Sequence, residues 1–239
     1  MSEPRGSRRG TYAAAAAALF AVIGVVALVL GFAGFSGGST PPQPSAAQAG
    51  SRPMSPAPDP APPAAPSVPA GPGRSSSLTP APQGPVLARS RPVHLDIGSI
   101  GVHTSLLQLG LNADGSLQVP WKPLLAGWFS HSPTPGQRGP SVIAGHVDSW
   151  ETGPAVFYRL GSLAPGATIT VSRADGSTAT FSVDGVREYP KAHFPTVPVY
   201  GNTDRAELRL ITCGDWNESR QEYDGNIVAF AHLLPGSRS

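Results

Sequence analysis

Cysteine is nearly missing from this 239-residue chain: Cys213 is the only one. A single thiol closes no internal disulfide and completes no cysteine-based zinc site. The six histidines (His94, His103, His131, His146, His193 and His232) show no His-x-x-x-His pair, so no metal and no cofactor is expected. Charge is sparse as well, at 13% of residues. The net charge of +2 divides into +3 over residues 1–85 and −1 over the remainder. The basic balance therefore belongs to the N-terminal arm, and the rest of the chain carries no electrostatic mark of a nucleic-acid binder. No internal repeat is present, and apolar residues at a helical period are almost absent after residue 85.

What is present falls into three parts. Arg5, Arg8 and Arg9 precede an uncharged run from Thr11 to Phe35, apolar almost throughout Ala13 to Phe32. About 20 such residues cross a bilayer as a helix, and a signal-peptide core is shorter, at about 7–15. The run is read as an uncleaved transmembrane anchor over 11–35, with a cleaved signal peptide as the competing reading. Arginines on its N-terminal side place residues 1–10 in the cytoplasm and the C-terminal domain outside the cell, in a single-pass cell-membrane protein. Residues 36–88 are rich in Pro, Ala and Ser, and 15 of the 28 prolines lie between Gly37 and Pro85. Such a segment buries too little apolar area to offset the entropy of ordering it, so a disordered, extended stalk is expected.

From residue 89 to 235 the pattern is that of an all-β domain. Short alternating runs (92–97, 100–103, 117–120, 141–146, 167–172, 177–183) are separated by Gly/Pro clusters. Ala174-Asp175-Gly176 marks a hairpin, Val186–Tyr189 continues or follows its second strand, and 155–160 suits a short helical turn. Roughly eight strands with almost no helix predict a closed barrel or a sandwich.

The stretch Glu207–Asp215 is the chemical focus. Alternation sets Arg209, Ile211 and Cys213 on one face and Leu208, Leu210 and Thr212 on the other, with Gly214-Asp215 ending the run. A thiol where a strand gives way to a loop is either a small buried hydrophobe or a nucleophile beside a cleft. A nucleophile needs a lowered pKa or a nearby base, and that partner is found in space rather than along the chain. His146 ends another strand pattern. Arg220 is the only basic residue between Cys213 and Arg238, in a polar loop that leads to a final apolar strand, 226–233.

Ile143-Ala144-Gly145-His146, then Leu210-Ile211-Thr212-Cys213, then an arginine-bearing loop and an apolar strand, together resemble a sortase. Within that family the chain is most similar to class F of actinobacteria, in Gly-Leu-Asn-Ala-Asp-Gly-Ser-Leu (110–117), Ser-Pro-Thr-Pro-Gly (132–136), Gly-His-Val-Asp-Ser (145–149) and Ala-Val-Phe-Tyr-Arg-Leu (155–160). The resemblance implies a closed eight-stranded β-barrel and a membrane-anchored cysteine transpeptidase that needs no cofactor. It implies Cys213 as nucleophile, His146 as its acid/base partner and an arginine as third catalytic residue. The family's arginine lies just before the last strand, where this chain has Tyr223-Asp224-Gly225-Asn226; the nearest is Arg220, with Arg209 held in reserve. The implied partners are an LPxTG-like sorting-signal peptide, an amine acceptor on cell-wall precursor or pilin, and the membrane through the N-terminal helix, with the protein a monomer. The reading from another class is a tethered, non-catalytic β-barrel adhesion or scaffold module with an inert buried Cys213.

Overall fold

The computed structural model describes residues 40–45, 47–48 and 84–236. The expected membrane span at 11–35 and most of the Pro-rich stretch lie outside the described residues. Eight strands close into a barrel: β1 (Pro92–Ile97), β2 (Val102–Leu109), β3 (Ala126–Phe129), β4 (Gly139–Gly145), β7 (Thr168–Arg173), β8 (Thr178–Pro190), β9 (Ala206–Asn217) and β10 (Glu222–Leu233). A separate two-stranded sheet pairs β5 (Asp148–Ser149) with β6 (Gly153–Pro154). Around the barrel the order is β1-β2-β3-β4-β9-β10-β8-β7. The pairs β2–β3 and β4–β9 run parallel and the rest antiparallel.

Turn chemistry sets the antiparallel connections. Gly101 turns β1 into β2 with φ 72°, and Gly176 turns β7 into β8 with φ 83°, a backbone region that a side chain disfavours. Asp175 steadies the second turn by accepting the Ser177 N–H at 3.0 Å. Inside the barrel, alternate residues such as Leu95, Ile97, Ile143, Phe181, Leu208 and Leu210 are fully buried. Each contributes about 1.5–3 kcal/mol of hydrophobic stabilisation. A second apolar cluster joins Val142, Ile211, Val228 and Phe230 to Val199, which belongs to a five-residue helix, α1 (Thr196–Tyr200). Ile211 and Leu210 are neighbours on β9 that fall in different clusters, so the second cluster lies on the barrel's outer face.

Of the two alternatives, Val186–Tyr189 continues the strand that holds 178–183, and a register shift marks the join. Other local expectations are revised. Leu117 makes only an isolated bridge with Leu111, while Ala126–Phe129, with its single aromatic pair, supplies the barrel strand. The expected helical turn at 155–160 is present as hydrogen-bonded turns, Tyr158 N–H to the Ala155 carbonyl and Leu160 N–H to that of Phe157, and it runs on into a 3-10 turn at Leu160–Ser162. Part of the Pro-rich stretch lies on the barrel. The Gln48 carbonyl accepts the Val186 N–H at 2.7 Å on the β8 edge, beyond the last β7 pairing at Ser182. A Cβ at Gly161 would run into the Pro42 carbonyl, so this contact needs glycine there.

Candidate active site beside two parallel strands

Strand β9 buries Leu208, Leu210 and Thr212 toward the barrel interior, which turns Arg209, Ile211 and Cys213 outward. Cys213 is half-buried, opposite Asn226 of β10. On the other side of β9 runs β4, parallel, with Ala144 paired to Ile211. Two residues further along, His146, the first residue after β4, and Cys213 reach the same level; β9 itself runs on to Asn217, so Gly214-Asp215 does not end the strand as expected, because the pairing with β10 continues past it. Parallel neighbours at one level project to the same face, so this pairing brings two residues 67 positions apart to one place.

The imidazole of His146 is oriented from the loop 110–125. Its Nε2 lies 2.7 Å from the Pro120 carbonyl oxygen. A carbonyl only accepts, so Nε2 carries a proton and Nδ1 is the nitrogen left for proton exchange. The main chain is fixed as well, since the His146 carbonyl accepts the Phe157 N–H at 2.9 Å. Gly145 permits this approach. A Cβ there would sit 2.7 Å from both Phe157 Cδ2 and Val156 Cγ1. Gly145→Ala is therefore expected to cost about 1–3 kcal/mol through overpacking and to lower activity further by displacing His146. Thermal melting and a peptide-transfer assay on one preparation would check this; an active, equally stable variant would show that the loop yields.

The electrostatics around Cys213 are mixed. Burial pushes its thiol pKa up, Lys191 pulls it down, and Asp148 pushes it up again. Asp148 accepts a hydrogen bond from the Tyr223 hydroxyl, which ties the mini-sheet to β10. Burial and that carboxylate hold the Tyr223 phenol well above its usual range. Trp216 packs on Tyr223 with ring centroids 4.9 Å apart. Glu188 is raised by burial and by Asp215, and Asp215 takes φ 57° directly after the Cys213–Gly214 pair.

The two arginines occupy different settings. Arg220 stands on the turn between β9 and β10, with its side chain 57% exposed. Its Nε lies 3.1 Å from Glu222, and its Nη2 binds Asp224. The guanidinium thus reaches back to Asp224, one of the positions at which the arginine was expected. Arg209 is only 4% exposed. It binds Glu207 at 2.5 Å and lies 4.7 Å from the Phe230 ring centre. It belongs to the packing beneath α1, through the Pro198 carbonyl.

Four residues enter the site that the sequence reading did not single out: Pro120, Asp148, Lys191 and Tyr223. Asp148 had a signal, two positions after His146 in Gly-His-Val-Asp-Ser. The others arrive through tertiary contacts alone. Elsewhere, His103 pairs with Asp96 and His232 with Asp184, each at 2.7 Å.

Residues 95–234, more than half of the chain, match the Sortase domain family. A comparison with curated protein sequences gives no match. Solved structures similar to the chain include three sortases. Sortase C2 of Group B Streptococcus pilus island 1 is 17% identical, with TM-score 0.45, covering 60% of this chain and 73% of that one. A Clostridium perfringens sortase D5 transpeptidase is 22% identical, with TM-score 0.45, over 60% and 79%. A lid mutant of sortase A from Corynebacterium diphtheriae is 18% identical, with TM-score 0.46, over 62% and 72%. With the family match spanning the barrel from β1 to the end of β10, this chain belongs to the sortase family.

Proposed function

We propose that the protein is a membrane-anchored cysteine transpeptidase of class F character. The observation that carries this reading is the arrival of His146 and Cys213 at one level on adjacent parallel strands, both at the outer face. The Cys213 thiolate attacks the Thr carbonyl of an LPxTG-like sorting signal, and the carbonyl π electrons pass to oxygen. As the tetrahedral intermediate collapses, the Thr–Gly C–N bond breaks, and protonated His146 gives its proton to the leaving amine. The resulting thioacyl-enzyme is then attacked by an amine of a cell-wall precursor or pilin. Neutral His146 takes the proton from that amine as the C–S bond breaks and the thiolate returns. Water in place of the amine gives hydrolysis.

Arg220 is assigned to hold the substrate near the oxyanion, since its side chain, though paired with Glu222 and Asp224, is exposed on the hairpin, while that of Arg209 is buried against Glu207 and Phe230. The monomeric protein faces the extracellular side, tethered by residues 11–35. Mass spectrometry of the full chain mixed with an LPxTG peptide and triglycine should show a thioacyl adduct on Cys213 and then a triglycine-extended product. Absence of any adduct across a peptide library, with Cys213 unreactive to iodoacetamide until denaturation, would instead favour the scaffold reading.

A further inference from the structure

The surroundings of Cys213 are predominantly acidic. From β5 comes Asp148, from β10 Asp224 and the Tyr223 hydroxyl, from β9 itself Asp215, and from β8 Glu188, with His146 alongside on the end of β4. A thiolate forming among these groups requires a positive charge within reach. Arg220 is a poor source, because Glu222 and Asp224 both bind its guanidinium. Arg209 is spent on Glu207 beneath α1.

The register of three strands brings in another cation. Tyr189 of β8 pairs with Asn226 of β10, and Asn226 pairs with Cys213 of β9, so the three form one row across the outer face. The next row is Pro190, Gly225 and Gly214, in which the two glycines raise no side chain. Lys191 follows Pro190 at once, where β8 ends and a short 3-10 turn (Lys191–His193) begins, so it stands one residue beyond the row that runs through Gly225 to Gly214. Two strand spacings separate the rows' ends by roughly 10 Å, and the flexible four-carbon stem of a lysine covers much of that span. Among the described residues no ion pair holds Lys191, and its side chain is exposed. Its charge acts on both Cys213 and Asp224, which precede the two members of the Gly214–Gly225 pair on β9 and β10.

We propose that Lys191 is the electrostatic positioning residue of the site, the cation that draws Cys213 toward thiolate while Arg220 meets the substrate. This assignment rests on the reading of Cys213 as nucleophile. It divides between two side chains what a single arginine before the last strand would otherwise combine, and it accounts for the acidic Asp224 at that place.

The test reads the thiol without any peptide. Iodoacetamide alkylation rates of the full chain are measured against pH for wild type, Lys191→Met, Lys191→Arg and Arg220→Gln. Lys191→Met should raise the apparent pKa of Cys213 by about 0.5 unit, a threefold loss of thiolate at fixed pH, the size of a unit-charge interaction over several ångströms of wet surface. Lys191→Arg should keep the wild-type profile, and Arg220→Gln should leave it in place. Near 1 M salt, where the Debye length falls to about 3 Å, wild type and Lys191→Met should converge. An unchanged profile in Lys191→Met, an equal shift in Lys191→Arg, or an equal shift in Arg220→Gln would each overturn the assignment. Thioacyl formation by wild type, measured beside these, reports separately on the transpeptidase reading.

Discussion

Cys213→Ala should keep the barrel and form no thioacyl adduct, while His146→Ala should bind peptide and lose transfer by about 10²–10⁴-fold. The expectation of an intact fold follows from position. Cys213 lies on the outer face at a half-buried site, away from the interior cluster of Leu208 and Leu210. Removing its sulfur is a surface-type change, within about 1 kcal/mol. His146 stands beyond the last residue of β4, and its loss removes one hydrogen bond, to the Pro120 carbonyl, worth about 0.5–1.5 kcal/mol. Neither change touches the paired registers that close the barrel. Circular dichroism melts would separate folding from chemistry, and chromatography of peptide and amine acceptor would report transfer. Transfer persisting in Cys213→Ala would remove the thioacyl mechanism. Unimpaired transfer in His146→Ala would leave the thiolate in place but move proton transfer to another group.

Alternation and turn chemistry made much of the domain legible. In β9 the expected faces match the packing residue by residue, since Leu208 and Leu210 enter the interior cluster while Ile211 enters the outer one. Asp175-Gly176 marked the β7–β8 hairpin because only a few residue types tolerate that turn. The strand Ala126–Phe129 was hidden, as its alternation is weak and its place is fixed by parallel pairing to β2. Helix α1 was hidden too: five residues that include a proline carry little propensity, and the outer apolar cluster holds them. The Pro42 and Gln48 contacts with the barrel depend on backbone carbonyls, which side-chain composition does not encode. In the site, Cys213 and His146 stood out by local pattern and resemblance. Lys191 did not, because its relation to Cys213 exists only through Asn226 on the strand between them. The position of Arg220, reaching back to Asp224, likewise depends on the hairpin geometry.

Glu207→Ala should be the most destabilising single change considered, at about 3–5 kcal/mol, a fall of roughly 6–20 °C in Tm. Glu207 and Arg209 are 7% and 4% exposed, two positions apart on the outer face of β9. Glu207 receives Arg209 Nη2 and Arg205 Nε, each at 2.5 Å, and Arg205 also reaches Asp184 at 3.4 Å. Removal of the carboxylate leaves Arg209 with the Leu208 and Pro198 carbonyls and the Phe230 ring, none of which neutralises a buried guanidinium. Burial pushes the Glu207 pKa up, but the two guanidinium groups outweigh it and hold the carboxyl below its ordinary value of 4.5. A depressed carboxylate pKa adds stability that is fully present above the unfolded value and fades as pH falls through the folded one. The lead of wild type over Glu207→Gln should therefore be full at neutral pH and shrink below about pH 4. Replacing both partners, as Glu207→Leu with Arg209→Met, should recover much of the loss, because no charge is then left buried alone. Thermal melts of these variants across pH would decide the matter, and a Glu207→Ala melt within 3 °C of wild type would contradict it. The same pair fastens α1 to β9 through Pro198, and α1 follows Lys191 in the chain. A loosened Glu207–Arg209 pair should thus also blunt the effect of Lys191 on the thiol, coupling the strongest buried charges of the outer face to the chemistry at its edge.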